Sequence, residues 1–209
     1  SDYRPYSEVR RLSQSPYGWQ PVSEDLLRVL ALAQEVSQKS GGAFDVTVGP
    51  FVQLWRESKR MGRLPTAIEL SEAGWNSGSP LLEVDEDRGG VKLWSRDMRL
   101  DLGGIAKGFI LQDALKVLRA KGVPSAMIEA GGDLVVGDAP PGQQGWNVYV
   151  ASGDTVMLNR ARALTNAAVA TSGGSEQFVE IKGVRYSHII DPRTGLGVTG
   201  RHIVTVIAE

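Results

Sequence analysis

The residues from Asp101 to Gly108 read Asp-Leu-Gly-Gly-Ile-Ala-Lys-Gly and place a carboxylate, a glycine pair and a lysine within one short stretch. An alternating apolar segment (Met98, Leu100, Leu102) precedes them, and an amphipathic run ending near Lys121 follows. That spacing predicts a strand, a glycine turn and the first turn of a helix. Unpaired backbone N–H groups at such a helix start make a seat for phosphate. Gly103 and Gly104 let a ligand approach the main chain with no Cβ in the way. Lys107 adds positive charge one turn in. Asp101 would repel a phosphate unless a divalent cation lies between them, or unless it accepts hydrogen bonds from a sugar or base. The same residues also make an ordinary β–α turn in which Asp101 only caps the helix.

Three further polar clusters fall at expected strand ends: Ala43-Phe44-Asp45, Ala170-Thr171-Ser172-Gly173-Gly174, and the run from Tyr186 to Gly195. The last reads Tyr-Ser-His-Ile-Ile-Asp-Pro-Arg-Thr-Gly. His188 there could act as a general base, with Asp191 or a neighbouring carbonyl fixing its tautomer. It could equally be a hydrogen-bonded histidine closing a strand. His202, at the head of an apolar strand without polar company, reads as structural.

The elements around these clusters follow from periodicity and caps. A short helix is expected around Val9 to Leu12. Ser23 caps a helix whose Leu26, Val29, Leu30, Ala33 and Val36 share one face, and Gly41 stops it. Residues 41–50 read as a short extended piece closed by Gly49-Pro50, before a brief helix at Phe51, Leu54 and Trp55. Thr66 and Glu69 form a capping box for a helix ending at Gly74. Alternation on either side of Asp87-Arg88-Gly89-Gly90 predicts a hairpin within antiparallel strands over 81–102. A helix from about Ile105 should turn Phe109, Ile110, Ala114, Val117 and Leu118 inward and end at Gly122. Strands are expected at 126–130, 134–136, 146–151, 167–172, 178–182, 185–190 and 202–207. Hairpins interrupted by helices give an α+β fold of mainly antiparallel sheet with helices packed on it.

Composition narrows the function. The chain has 209 residues, 42% hydrophobic and 22% charged, with a formal charge of −1. With a pI near 6.2 it does not carry the basic excess of a nucleic-acid-binding protein. No apolar run approaches the ~20 residues of a transmembrane helix. The absence of cysteine excludes disulfides, thiolate metal sites and cysteine nucleophiles.

In order and spacing these clusters resemble the ApbE family, the FAD:protein FMN transferases. The likeness runs from Tyr3-Arg4-Pro5 to Val204-Thr205-Val206-Ile207-Ala208. It is densest in Gly-Gly-Ala-Phe-Asp-Val-Thr-Val-Gly-Pro, Asp-Leu-Gly-Gly-Ile-Ala-Lys-Gly, Glu-Ala-Gly-Gly-Asp-Leu and Tyr-Ser-His-Ile-Ile-Asp-Pro-Arg-Thr-Gly. The resemblance implies an α+β enzyme that takes FAD as substrate and uses Mg²⁺ to break its pyrophosphate. FMN would pass to a threonine hydroxyl of an acceptor flavoprotein, a redox-pump or reductase subunit, and AMP would be released. It also implies an extracytoplasmic location, with a cytoplasmic one as the alternative. Carried over by position, Tyr3, Ala43, Phe44, Asp45, Asp101, Lys107, Thr171, Ser172 and His188 would contact the flavin nucleotide. His188 would also be the catalytic residue, and Gly104 would offer its backbone carbonyl to the metal.

Family members begin with a strand bearing Met-Gly-Thr and continue, after the strand matching His202 to Ala208, into an Asp- and Thr-bearing metal-binding segment. The expectation is therefore one flavin-transferase domain over residues 1–209 that lacks both, with the remaining metal ligands beyond Glu209. Gly197 stands where Arg-Thr-Gly-x-Pro commonly has proline, which should loosen that turn. Two other readings accompany the transferase: a metal-dependent FAD pyrophosphatase giving FMN and AMP, and a flavin-binding scaffold without turnover.

Overall fold

A computed structural model describes residues 7–150, 160–174, 177–200 and 202–209. The chain divides into two compact units, one of residues 1–104 and 177–200, the other of 105–176 and 201–209.

The first unit opens with α1 (Glu8–Leu12), β1 (Gln20–Pro21) and α2 (Glu24–Lys39). Ser23 caps α2, its Oγ accepting from the Leu26 N–H, while the Glu8 carboxylate takes the Ser23 hydroxyl at 2.7 Å. Leu26, Val29, Leu30 and Ala33 are buried on one face, as the periodicity predicts. Gly41 and Gly42 end the helix with positive φ, a conformation glycine adopts without strain.

Next come α3 (Gly49–Met61) and α4 (Ala67–Trp75). Gly49-Pro50 does not close an extended piece. It opens α3, because a proline in the first turn loses no intrahelical hydrogen bond. Residues 41–48 form successive turns, not a strand. The α4 capping box of Thr66 and Glu69 is present, but Gly74 lies inside the helix and Asn76 caps its end. β2 (Leu82–Asp85) and β3 (Gly90–Leu93) form the expected hairpin, and β1 adds to β3. Met98 to Leu102 is not a strand. Its alternation is still satisfied by burial, with Met98 and Leu100 enclosed. The segment hydrogen-bonds to a loop instead of a ladder: Gly49 N–H to Arg99 O at 3.2 Å and Asp101 N–H to Val46 O at 2.7 Å.

The second unit begins at α5 (Ala106–Ala120), with Gly122 in positive φ just past its end. Its core face is Leu111 and Leu115, not the predicted stripe, and Ile110 and Val117 are exposed. The helix carries apolar residues on more than one face, and only the sheet decides which is covered. β4 (Met127–Ala130) and β5 (Asp133–Val136) turn through Gly131 and Gly132, both at positive φ as a tight hairpin requires. β6 (Trp146–Val150) pairs with β7 (Arg160–Leu164), a strand the sequence pattern does not announce, and β8 (Ala167–Gly173) follows.

The chain returns to the first unit for β9 (Phe178–Ile181), β10 (Val184–Ile190) and β11 (Gly197–Thr199), a sheet ordered β11-β10-β9. Trp55 of α3 meets Tyr186 of β10 edge to face at 5.5 Å. Gly197 does not loosen its turn. A Cβ there would lie 2.2 Å from the Ser187 carbonyl oxygen, so the missing side chain allows β11 to close onto β10. β12 (Ile203–Ala208) completes the second unit's sheet, ordered β12-β8-β5-β4. Val136, Val148, Leu164, Ala167 and Val169 form one core there, and Leu111, Leu115 and Val135 another. Every strand pairing in the two units is antiparallel, the α+β architecture expected.

Candidate functional site

In the first unit the loop after α2 is held from within. Ser40 Oγ accepts the Phe44 N–H at 3.1 Å. Asp45 Oδ1 accepts from the Thr47 N–H at 2.8 Å and the Thr47 hydroxyl at 2.7 Å, while Oδ2 accepts the Ser79 N–H at 2.8 Å. The Asp45 carboxylate thus ties its loop to the start of a 3-10 turn, and Thr47 is fully enclosed. Ala43 is exposed and Phe44 half-buried beside it.

The Asp101 segment lies against this loop. Besides the Asp101–Val46 backbone bond, a Cβ on Gly104 would come within 3.1 Å of Phe44 Cε2, so the ring rests on the glycine backbone. Asp101 Oδ1 accepts the Gly103 N–H at 2.8 Å, a turn in which a Cβ on Gly103 would meet that same oxygen at 2.9 Å. Ala43, Phe44, Asp101 and Gly104 therefore form one surface, whose parts are far apart in sequence.

His188 stands exposed on β10. Its Nδ1 lies 3.1 Å from the Gln177 carbonyl, which also accepts the His188 backbone N–H. A carbonyl can only accept, so in the neutral ring Nδ1 carries the proton and Nε2 keeps its lone pair. Of the two orienting groups considered from sequence, the carbonyl does the work. Asp191 is engaged elsewhere, its Oδ1 accepting from both Arg193 Nε and the Arg193 N–H at 3.0 Å. The Arg193 side chain, and then its backbone N–H, hold the Asp191 carboxyl below the usual carboxylate range.

In the second unit α5 begins at Ile105 with no side chain capping its first N–H groups and no acidic residue in its first turn. Lys107 lies there, and its Nζ pairs with Asp133 Oδ2 at 2.6 Å. Asp133 Oδ1 accepts the Thr171 N–H at 3.3 Å, and the Thr171 hydroxyl meets that of Thr205 at 3.0 Å. Thr171 and Ser172 are exposed on β8. Asp133 is the residue that sequence reasoning passed over. It lies in the Glu-Ala-Gly-Gly-Asp-Leu run without a role, although an acid opening a strand behind a double-glycine turn was a usable signal. Tyr3 lies outside the described residues.

Among the described residues no three His, Asp or Glu side chains converge as a metal site. Mg²⁺ takes near-octahedral oxygen coordination, usually with a carboxylate, so the Gly104 carbonyl alone does not meet its needs. The described residues do not by themselves fit the ion.

Both units are built of helices on antiparallel sheet, the first carrying the Phe44–Gly104 surface and His188, the second the uncapped start of α5. The family model described as the ApbE family matches residues 1–209, and the chain belongs to that family. It is 29% identical to the FAD:protein FMN transferase of Salmonella typhimurium and 30% identical to that of Haemophilus influenzae. Those matches take in all of this chain but only 62% and 63% of the respective relatives, so the chain spans about six-tenths of their length. Among solved structures, the ApbE protein of Thermotoga maritima superposes with a TM-score of 0.88 at 32% identity, covering 100% of this chain and 68% of that one. The apo flavinyl transferase ApbE of Pseudomonas stutzeri gives 0.85 at 29%, covering 100% and 66%.

Proposed function

We propose that the chain is the flavin-handling part of an FAD:protein FMN transferase. The observation that carries this reading is the state of His188: an exposed imidazole whose Nδ1 is tied to the Gln177 carbonyl, leaving Nε2 to accept a proton. In the reaction a threonine Oγ–H of the acceptor protein attacks the FMN phosphorus of FAD. The new O–P bond forms, the P–O bond to the AMP phosphate breaks, AMP departs, and the threonine proton passes to Nε2.

The other residues bind and orient. Within the first unit, Phe44 on Gly104 offers a flat apolar surface and Asp101 Oδ2 a hydrogen-bond acceptor for sugar or base; within the second, Lys107 and the first N–H groups of α5 make a seat for phosphate. Thr171 and Ser172 present hydroxyls. Gly104 is the contact that family resemblance assigns to Mg²⁺, and the described residues supply no carboxylate cluster beside it. We place the reaction outside the cytoplasm, on the same resemblance.

The test is to express the protein containing this chain with a flavoprotein subunit that carries a target threonine. The expected outcome is a mass gain of one FMN on that subunit, with AMP in solution. AMP without flavinylation would identify a hydrolase, and neither product would leave a binding scaffold.

A further inference from the structure

The first unit contains a cavity of about 440 Å³ whose described lining includes Arg10, Arg56, Arg96 and Arg99 and one carboxylate, Asp97. Three packed elements bring the arginines together. Arg10 comes from the last turn of α1, Arg56 from α3, and the other two from the segment before Asp101. That segment is pinned by Met98 and Leu100, both buried, and by the Gly49–Arg99 backbone bond, and Arg96, Asp97 and Arg99 are exposed on it. The guanidinium groups of Arg10, Arg96 and Arg99 have no ion-pair partner among the described residues. The whole chain carries a formal charge of −1, so this is a local excess and not general basicity. Arg10, Arg96 and Arg99 around one cavity repel one another, a cost that a multiply charged anion would relieve.

We propose that this cavity binds a small phosphate-bearing anion, through residues none of which is assigned to the flavin nucleotide. A guanidinium presents two parallel N–H donors that match two phosphate oxygens, so several on fixed elements favour phosphate over a lone carboxylate. The volume falls within the roughly 300–1,000 Å³ of small-molecule pockets, whereas an acidic protein segment would need an open groove. Gln14 and Gln53 in the lining add amide donors, and Val9 and Val52 an apolar wall.

The test is calorimetric titration of the chain with inorganic pyrophosphate at fixed ionic strength. Saturable binding is expected, weakened at least about 10-fold in the Arg96→Gln/Arg99→Gln double variant, the loss of charge-assisted hydrogen bonds. Both side chains are exposed, and circular dichroism checks that the fold survives. Asp97→Asn removes the one repelling carboxylate and should tighten binding severalfold. No saturable binding, parental affinity in the double variant, or no gain in Asp97→Asn would each overturn the proposal. So would a hexaglutamate peptide that binds the same arginines as tightly as pyrophosphate. Each readout is independent of FMN transfer.

Discussion

At the scale of single residues, the clearest consequence belongs to His188. Replacing it with alanine should lower FMN transfer by roughly 10²–10⁴-fold, the usual loss with a general base. FAD affinity should change little, because Nε2 acts on the acceptor hydroxyl. Transfer at the parental rate would make His188 a strand-end residue held by Gln177 and nothing more. Lys107 poses a different question, since its ammonium is already paired with Asp133. If it also faces the nucleotide, Lys107→Ala should weaken FAD binding by roughly 10-fold in a flavin fluorescence titration, the scale of one charge-assisted hydrogen bond. Unchanged affinity would confine the lysine to its partnership with Asp133. His188 and Lys107 stood out in the sequence by type and motif. Asp133 did not, because its importance comes from what folding brings to it: Lys107 from α5 and the Thr171 N–H from β8.

Elements carry their own consequences. The close approach of α3 to the Asp101 segment depends on Gly49, where a Cβ would lie 2.3 Å from the Arg99 carbonyl oxygen. Gly49→Ala should therefore destabilise the first unit by about 1–3 kcal/mol, the range for overpacking, read as a lower denaturant midpoint. An unchanged midpoint would mean that the loop yields freely. The α4 cap gives a titration. Bonding to the Arg63 side chain, and then to the Thr66 backbone, lowers the Glu69 carboxyl to about 2. A depressed folded value means the cap's contribution is complete above the ordinary glutamate range and is lost as pH falls through about 2. Carbon-detected NMR should find the Glu69 midpoint near 2, with the Thr66 amide signal moving in step. A midpoint near 4 would show that Arg63 does not hold it.

At the scale of the whole molecule, the residues assigned to the flavin nucleotide are spread from Tyr3 to His188 in the sequence. The family resemblance assigns them all to one two-part nucleotide. FAD should therefore bind more tightly than NAD or FMN in calorimetric titration. Equal affinity for NAD would remove the basis for the flavin reading.

The sequence alone determined the membership in the ApbE family, the α+β class, most helices and the β2–β3 and β4–β5 hairpins. These rest on local signals: caps at Ser23 and Thr66, paired glycines at turns, and motifs that report chemistry directly. What it could not determine depended on neighbours. The apolar residues of α5 allow more than one buried face, and the sheet selected Leu111 and Leu115. Met98 and Leu100 alternate like a strand, yet their backbone bonds go to the loop around Val46 and Gly49. Gly197 looks like a missing proline until the Ser187 carbonyl is placed beside it. The tautomer of His188 belongs to this second group, because Asp191 is near in sequence but turned to Arg193, while Gln177 stands just before the adjoining strand. Periodicity and motif record what a residue can do. Which partner satisfies it is a matter of distance, and only the folded chain sets distances.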